Sequence, residues 1–447
     1  MTEQDVFQLS PEAFSRLMMR LQRHGAIIQL ETQHLGQSLI GIGTAARLSC
    51  YGHEAWYERS EATSERWRQS AWSALRRFRG HHAGKWLFGM MGYDLKNSTE
   101  ALSSQNPDAV GAPDLMFFAP RWVMRYESGI GRLKIIQAEE PFPESWIQQA
   151  RAEDASPEFQ FQLLPGDEGE KRDYTSRIRE AKRDIFEGQY YEINLSRELR
   201  GLYSGAPYVL YGRMKEAGPV PFGAFMSVTP PGSQAPIQLC CASPERFLRR
   251  QGDIIQSQPI KGTAAVSATG DSAENERIAA GLLHSEKNRA ENLMIVDLVR
   301  HDLNQVCIPG SVTVPELFGI HRFSTVFQMI STVEGRLRNG VDEIEVLQRC
   351  FPMGSMTGAP KIRAMQRIEE LETRKRGIYS GSVGYISPEG NMDFNVIIRS
   401  AICREGRLFY NVGGAITADS DPEEEWEETL IKAEAIMRCR QPAAAGL

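Results

Sequence analysis

Strand-patterned runs that follow one another across short turns, with no helix between them, constrain the fold of this chain more than any other feature. Segments 235–241, 245–249, 253–258 and 262–266 each suit a strand, and Gly252 and Gly262 suit turns between them. A second series covers 379–387, 392–403 and 407–417. Strands joined by a few residues lie antiparallel, because a parallel neighbour needs a long crossover. Helical patterns at 173–188 and 272–303 stand apart from these series, without regular βαβ alternation. The expected class is therefore α+β, not a doubly wound parallel sheet.

Nearer the start, 26–30 reads as a strand and 64–79 as a helix. The stretch 139–169 is polar and acidic and reads as a connection, although Trp146 suggests that part of it packs as a helix. A soft boundary near residue 165 separates an N-terminal region, 1–150, from a second domain, 165–440; at 447 residues the chain exceeds one compact layer. Segment 190–197 alternates like a strand. A last helix opens at Ser420-Asp421-Pro422, with Asp421 as N-cap, Pro422 at the first helical position and Glu424 at the capping-box position.

A net charge of −6 offers nucleic acid no electrostatic footing, though local positive charge still permits an anionic substrate. The opening residues have neither the basic flank nor the apolar run of a signal peptide, and no stretch reaches bilayer-spanning length. Seven cysteines without a Cys-x-x-Cys pair argue against zinc and disulfide frameworks. A cytoplasmic, membrane-free enzyme is expected.

Several residues could carry chemistry. Glu425, Glu428 and Lys432 share one face of the last helix; a solvated acidic first turn is the plain alternative. Glu291 adds an acid beside the apolar run 293–296, and carboxylates brought together from two helices suit Mg2+. Gly354-Ser-Met-Thr-Gly-Ala-Pro-Lys361 ends at a helix start, with Pro360 suited to its first position, and is either an anion site or a simple turn. Gly413-Gly414 marks a bulge or a ligand approach. Arg399 either pairs with a carboxylate or is a surface arginine. Lys261 is a solvated lysine, or a nucleophile if held in a dry pocket. Glu245 is a general acid, or more simply the partner of Arg246 or of another arginine.

Taken in order, Ser243-Pro-Glu-Arg-Phe247, Pro259-Ile-Lys-Gly-Thr263, Glu291–Leu298, Gly354–Lys361, Tyr379 with Arg399, and Glu425-Trp-Glu-Glu428 closely resemble the chorismate-utilising enzymes. These include anthranilate synthase component I, aminodeoxychorismate synthase component I, and the isochorismate and salicylate synthases. The match is strong from about 173 to 439 and loose over 1–150. The resemblance implies an antiparallel β-sandwich core flanked by helices. It implies Mg2+ held by Glu291 and Glu428, with Glu425 acting through water. It implies chorismate bound by Tyr379, Arg399, Lys432, Gly413, Gly414, Gly262, Thr263, Gln328 and Thr357, and Glu245 as acid for the C4 hydroxyl.

Within the family, lysine at position 261 resembles the aminodeoxychorismate synthases, whereas anthranilate synthases carry alanine. It implies that Lys261 adds to ring carbon C2 before ammonia attacks C4, through a neutral amine whose pKa the pocket depresses or whose proton a neighbour takes. Anthranilate synthase component I and a non-catalytic chorismate- or tryptophan-binding protein remain the alternatives. Two positions depart from the pattern. Glu192 stands where water-activating relatives have lysine and ammonia users usually have glutamine, so Glu192 or Asn194 is expected to orient the nitrogen. Gln328 stands where many relatives have histidine, and cannot change charge near neutral pH. No cysteine lies in the Gly-x-Cys-x-Gly context of a glutaminase, so ammonia is expected from a separate glutamine amidotransferase subunit. No pyridoxal-phosphate lyase segment follows residue 440, so release of 4-aminobenzoate is expected to need another enzyme. Gln29-Leu-Glu-Thr32 is a partial match to a tryptophan-binding run.

Overall fold

Leu87–Met91 and Leu115–Ala119 are apolar nearly throughout because each strand is covered on both faces. Leu87 and Met91 point to one side and Phe88 and Met90 to the other; Leu115 and Phe117 oppose Met116 and Phe118 in the same way. The computed structural model describes residues 6–32, 36–60, 64–152, 157–166, 169–218 and 221–440. Among these it forms two antiparallel sheets packed face to face, with helices on both outer faces.

One sheet runs Val6–Gln8, Arg132–Ala138, Trp122–Glu127, Gln37–Ile42, Ile27–Glu31, Ala224–Val228, Ile237–Cys241, Ser400–Arg404, Arg407–Ile416, Glu192–Gly205, Phe159–Leu163. The short strand Gly358–Ala359 also pairs with Glu192–Gly205. The second sheet runs Ile260–Ala265, Val326–Arg336, Ile254–Gln258, Arg246–Gln251, Met392–Asn395, Ser382–Ile386, Leu87–Met91, Leu115–Ala119, Ala46–Tyr51, Glu54–Arg59, Glu65–Arg68, with Thr313–Arg322 also beside Val326–Arg336. Both sheets therefore draw strands from either side of residue 165. Between them, Phe88, Met90 and Phe118 meet Ile28, Met226 and Leu239. Helices Ala71–His81, Glu286–Asn304 and Glu343–Cys350 cover one outer face, and Pro11–Leu21, Glu144–Ala152, Pro207–Ala217 and Pro422–Met437 the other.

Several expectations need correction. Residues 65–68 form a strand, because only Trp67 of Glu-Arg-Trp-Arg is buried; the helix begins at Ala71 under the Ser70 cap. The helix expected over 272–303 is two, Ser272–His284 and Glu286–Asn304, since Ser285 takes extended backbone and caps the second through the Asn288 N–H. The run 392–403 crosses from one sheet to the other, Met392–Asn395 to Ser400–Arg404, with Arg399 at φ 50° in the corner. The connection 139–169 holds the helix Glu144–Ala152 and also an edge strand, Phe159–Leu163, that its polar composition hid. Pro360 is an N-cap, and its helix starts at Lys361. As expected, Asp421 caps the last helix, accepting from the Glu423 and Glu424 N–H groups.

The seven cysteines are all free and buried. No helix among the described residues is long and apolar enough to cross a membrane.

Candidate active site

Lys261 is aimed by a bulge. Ile260 pairs with Ile330 and Thr263 with Gln328, so the ladder slips by one residue across Lys261-Gly262. Gly262 is therefore not the turn expected from sequence but a residue within the strand Ile260–Ala265, at φ +84°. A Cβ there would lie 2.9 Å from Asn288 Cγ and 3.0 Å from Leu282 Cδ1. Gly262→Ala combines a left-handed backbone with that collision. It is expected to lower stability by about 1–3 kcal/mol and turnover with it, measured by thermal melts and kinetics. Unchanged values of both would show that the bulge does not need glycine.

The bulge directs the Lys261 ammonium between two acids. Its Nζ donates to Glu192 Oε1 at 3.0 Å and lies 3.7 Å from Glu291 Oε2. Glu192 opens the strand Glu192–Gly205, and Glu291 comes from the helix Glu286–Asn304. Burial pulls the Lys261 pKa down, but Glu192 and Glu291 outweigh it and hold the pKa above the usual lysine range. This corrects the expectation of a depressed lysine: the resting side chain is charged, because acids distant in sequence converge on it. Of the two routes to a neutral amine, transfer to a neighbour remains, and Glu192 Oε2, buried and without a partner among the described residues, lies on the carboxylate already bonded to it.

Glu245 is not tied to Arg246, whose guanidinium donates to both oxygens of Asp393 at 3.0 Å. Glu245 instead abuts a cavity of about 20 Å³ walled largely by apolar side chains such as Phe247, Pro259, Ile295 and Val299. Burial raises its pKa to about 7, with Ser355, Lys261 and Arg399 pulling the other way. Arg399 makes no hydrogen bond or ion pair through its side chain among the described residues. It is half-buried, burial lowers its pKa, and it is no ordinary surface arginine.

On the last helix, Lys432 Nζ stands 2.5 Å from Glu428 Oε1 and donates to Gly413 O at 2.7 Å. Glu425 is buried and accepts from Ser420 Oγ at 2.8 Å. A Cβ on Gly414 would come within 2.9 Å of Glu425 Oε2, so glycine lets these acids approach the strand. At Gly413 the Cβ would lie 2.2 Å from Leu195 O, a need of strand packing. Burial raises the pKa of Glu291 and Glu425; it would raise Glu428 too, but Lys432 overrides it and the net shift is down. The charge of Glu428 acts on both Glu291 and Glu425 and raises the pKa of each. No three of His, Cys, Asp and Glu among the described residues stand close enough to hold a metal ion.

Other expected residues divide. Gln328 is fully buried with both ends of its amide unpartnered, on the strand beside Thr263. Asn194 is buried with Oδ1 unpartnered, and its Nδ2 lies 3.5 Å from Ser355 O. Tyr379 is buried and pushed up to about 12 by that burial. Thr357 turns its hydroxyl to the carbonyls of Met353 and Gly354, each at 3.2 Å. Thr263 is exposed. Lys361 is held by Asp302 at 2.6 Å, so the loop before it is a buried turn and its lysine is not left free for an anion. Glu31 of the partial tryptophan-like run is bound by Lys215 at 2.7 Å and Tyr211 at 2.8 Å. Two residues escaped sequence reading. Ser355, inside the glycine-rich loop, has a buried hydroxyl without a hydrogen-bond partner among the described residues and pulls the Glu245 pKa down. Lys287, four residues before Glu291 on one helix, faces Glu291, Glu425 and Glu428, and its i,i+4 spacing was the available signal.

A family model described as chorismate binding enzyme matches residues 25–438. Aminodeoxychorismate synthase, chloroplastic, of Arabidopsis thaliana is 42% identical over 59% of this chain, but the match spans only 28% of that protein. Aminodeoxychorismate synthase component 1 of Salmonella typhimurium is 34% identical over 78% of this chain and 75% of its own length. Anthranilate synthase component 1 of Aquifex aeolicus is 35% identical over 79% and 73%. Among solved structures, anthranilate synthase component I from Streptococcus pneumoniae superposes with a TM-score of 0.74 at 25% identity, covering 90% of this chain and 92% of that one.

Proposed function

Because the chain belongs to the chorismate binding enzymes, we propose that it aminates chorismate at C4 with ammonia, giving 4-amino-4-deoxychorismate for 4-aminobenzoate formation. The observation that carries this reading is Lys261, held by a bulge among Glu192, Glu291 and Glu245 where an alanine would offer no nucleophile. The relatives named aminodeoxychorismate synthase support it; the Aquifex aeolicus relative keeps anthranilate formation as the second reading.

In the proposed sequence Glu192 takes the Lys261 proton across their 3.0 Å contact. The Lys261 nitrogen bonds to ring C2, both conjugated ring double bonds shift by one position towards C4, and the C4–oxygen bond breaks. Glu245, protonated below about pH 7, gives its proton so that the hydroxyl leaves as water. Ammonia then bonds to C4, both double bonds shift back and the C2–nitrogen bond breaks. Lys261 is restored, and the surplus ammonium proton passes to the Glu245 carboxylate. The enolpyruvyl ether is untouched. Arg399, charged and unpaired among the described residues, suits a substrate carboxylate, and the unpartnered Gln328 amide suits a ring oxygen.

Magnesium suits the donor set by its chemistry: Glu291, Glu425 and Glu428 are half-buried or buried carboxylates, and the Glu428 charge pushes up the pKa of the other two. Glu291 and Glu428 would hold it, with Glu425 through water, and it would supply positive charge for a substrate carboxylate. Ammonia is proposed to come from a separate glutamine amidotransferase subunit, and the site of action to be the cytoplasm.

The test is chromatography of products from the chain with chorismate, Mg2+ and an ammonium salt. 4-Amino-4-deoxychorismate is expected; anthranilate as main product would favour the second reading, and no turnover a binding protein. Glu192→Gln keeps a hydrogen bond to Lys261 but accepts no proton. It is expected to lower kcat by about 10²-fold. Undiminished amination by this variant would remove the carboxylate's role.

A further inference from the structure

A second cavity, of about 340 Å³, opens beside the outer half of the strand Glu192–Gly205, against the helix Glu170–Phe186 and residues 372–374. None of Lys261, Glu245, Glu291 or Glu428 lines it, and the amination chemistry makes no use of it. Its size falls within the range of about 300–1,000 Å³ usual for small-molecule sites.

The walls carry Arg177, Arg197, Arg200 and Arg374 against Glu170, Glu198 and Glu372. The acids are spoken for. Glu372 is chelated from behind by Arg376 at 2.7 and 2.9 Å and also receives the Ser196 N–H and hydroxyl. Glu170 accepts from Arg197 at 2.7 Å. Glu198 accepts from Arg200 Nε at 2.8 Å and has Arg374 Nε only at 3.7 Å. The bases are in surplus. Arg177 is half-buried and makes no hydrogen bond or ion pair among the described residues. Arg200 Nη2 is buried with no partner among the described residues.

A buried guanidinium N–H without an acceptor is costly to leave unmade, and arginine's planar fork matches oxyanions in pairs. We propose that this cavity is a binding site for a small oxyanion, a carboxylate or phosphate, held by Arg177, Arg200 and Arg374. Occupation would supply the acceptor that Arg177 lacks among the described residues and give Arg374 a closer one than Glu198, while leaving the Arg197–Glu170 and Arg376–Glu372 pairs intact.

The experiment is calorimetric titration of the full chain with inorganic phosphate and, separately, with malonate, at ionic strength held constant with sodium chloride. Saturable one-to-one binding of one of them is expected, and the one that saturates identifies the oxyanion. Arg177→Gln is expected to weaken it at least about tenfold, which is about 1.4 kcal/mol. Because Arg177 has no partner to lose, its variant should melt as the parent does; Arg374→Gln serves as a second variant should it not. Lys432→Met, in the amination cleft, should leave the titration unchanged. No saturable heat with either anion, an unchanged affinity in both arginine variants, or loss in Lys432→Met would each overturn the proposal.

Discussion

Lys261→Ala is expected to lower the rate of C4 amination by about 10³-fold or more, since it deletes the nucleophile, and positioned proton transfer alone contributes about 10²–10⁴-fold. The substitution also takes a cation from between two carboxylates. Glu192 is nearly fully buried and would lose its one ion-pair partner among the described residues, at 3.0 Å, while Glu291 is 3.7 Å from the same nitrogen. Breaking a buried pair from one side costs about 3–5 kcal/mol, less what protonation of Glu192 recovers. The variant should therefore melt lower yet stay folded, and lose kcat far more than affinity for chorismate. Turnover followed by chromatography beside a thermal melt checks both. An alanine variant that aminates C4 at the parent rate would reject the covalent route.

Glu245→Gln is expected to cost about 10²–10⁴-fold in kcat, because glutamine has no proton to give to the departing hydroxyl. Its pH signature is sharper than its size. Burial raises Glu245 from an ordinary value of 4.5 to about 7, so the acid form that the step needs is lost as pH rises through about 7. The parent's rate should fall above that point, and the residual rate of Glu245→Gln should lack this limb. The same shift has a stability consequence of definite sign. The folded chain holds this proton more tightly than the unfolded chain, so the parent loses stability as pH rises from 4.5 towards 7. The full difference is about 3 kcal/mol, and it should be absent in Glu245→Gln. A parent profile flat across this range would remove Glu245 as the acid.

Much of the site was legible because it lies in short, distinctive runs. Pro259-Ile-Lys-Gly-Thr263 carries both the proposed nucleophile and the glycine that aims it, and the cap at Asp421 follows from local rules. What was hidden depends on contacts between distant segments. Whether Lys261 is charged depends on Glu192 and Glu291, which reach it from another sheet and from a helix. Arg246 looks like the partner of its neighbour Glu245 until strand pairing brings Asp393 beside it. The break at Ser285 was missed because helical periodicity continues across it, although a serine before Glu286 is also a capping signal. The strands Glu65–Arg68 and Phe159–Leu163 are short and edge-placed, so polar residues mask their alternation. The interleaving of early and late strands in both sheets has no local signature at all.

The most direct measurement is mass spectrometry of peptides from the chain quenched with chorismate and Mg2+ but no ammonium salt. With the incoming nitrogen withheld, the peptide bearing Lys261 should carry chorismate less one water. If chorismate is aminated at C4 once ammonium is added, yet Lys261 is unmodified without it, the bond between this lysine and the substrate ring does not form.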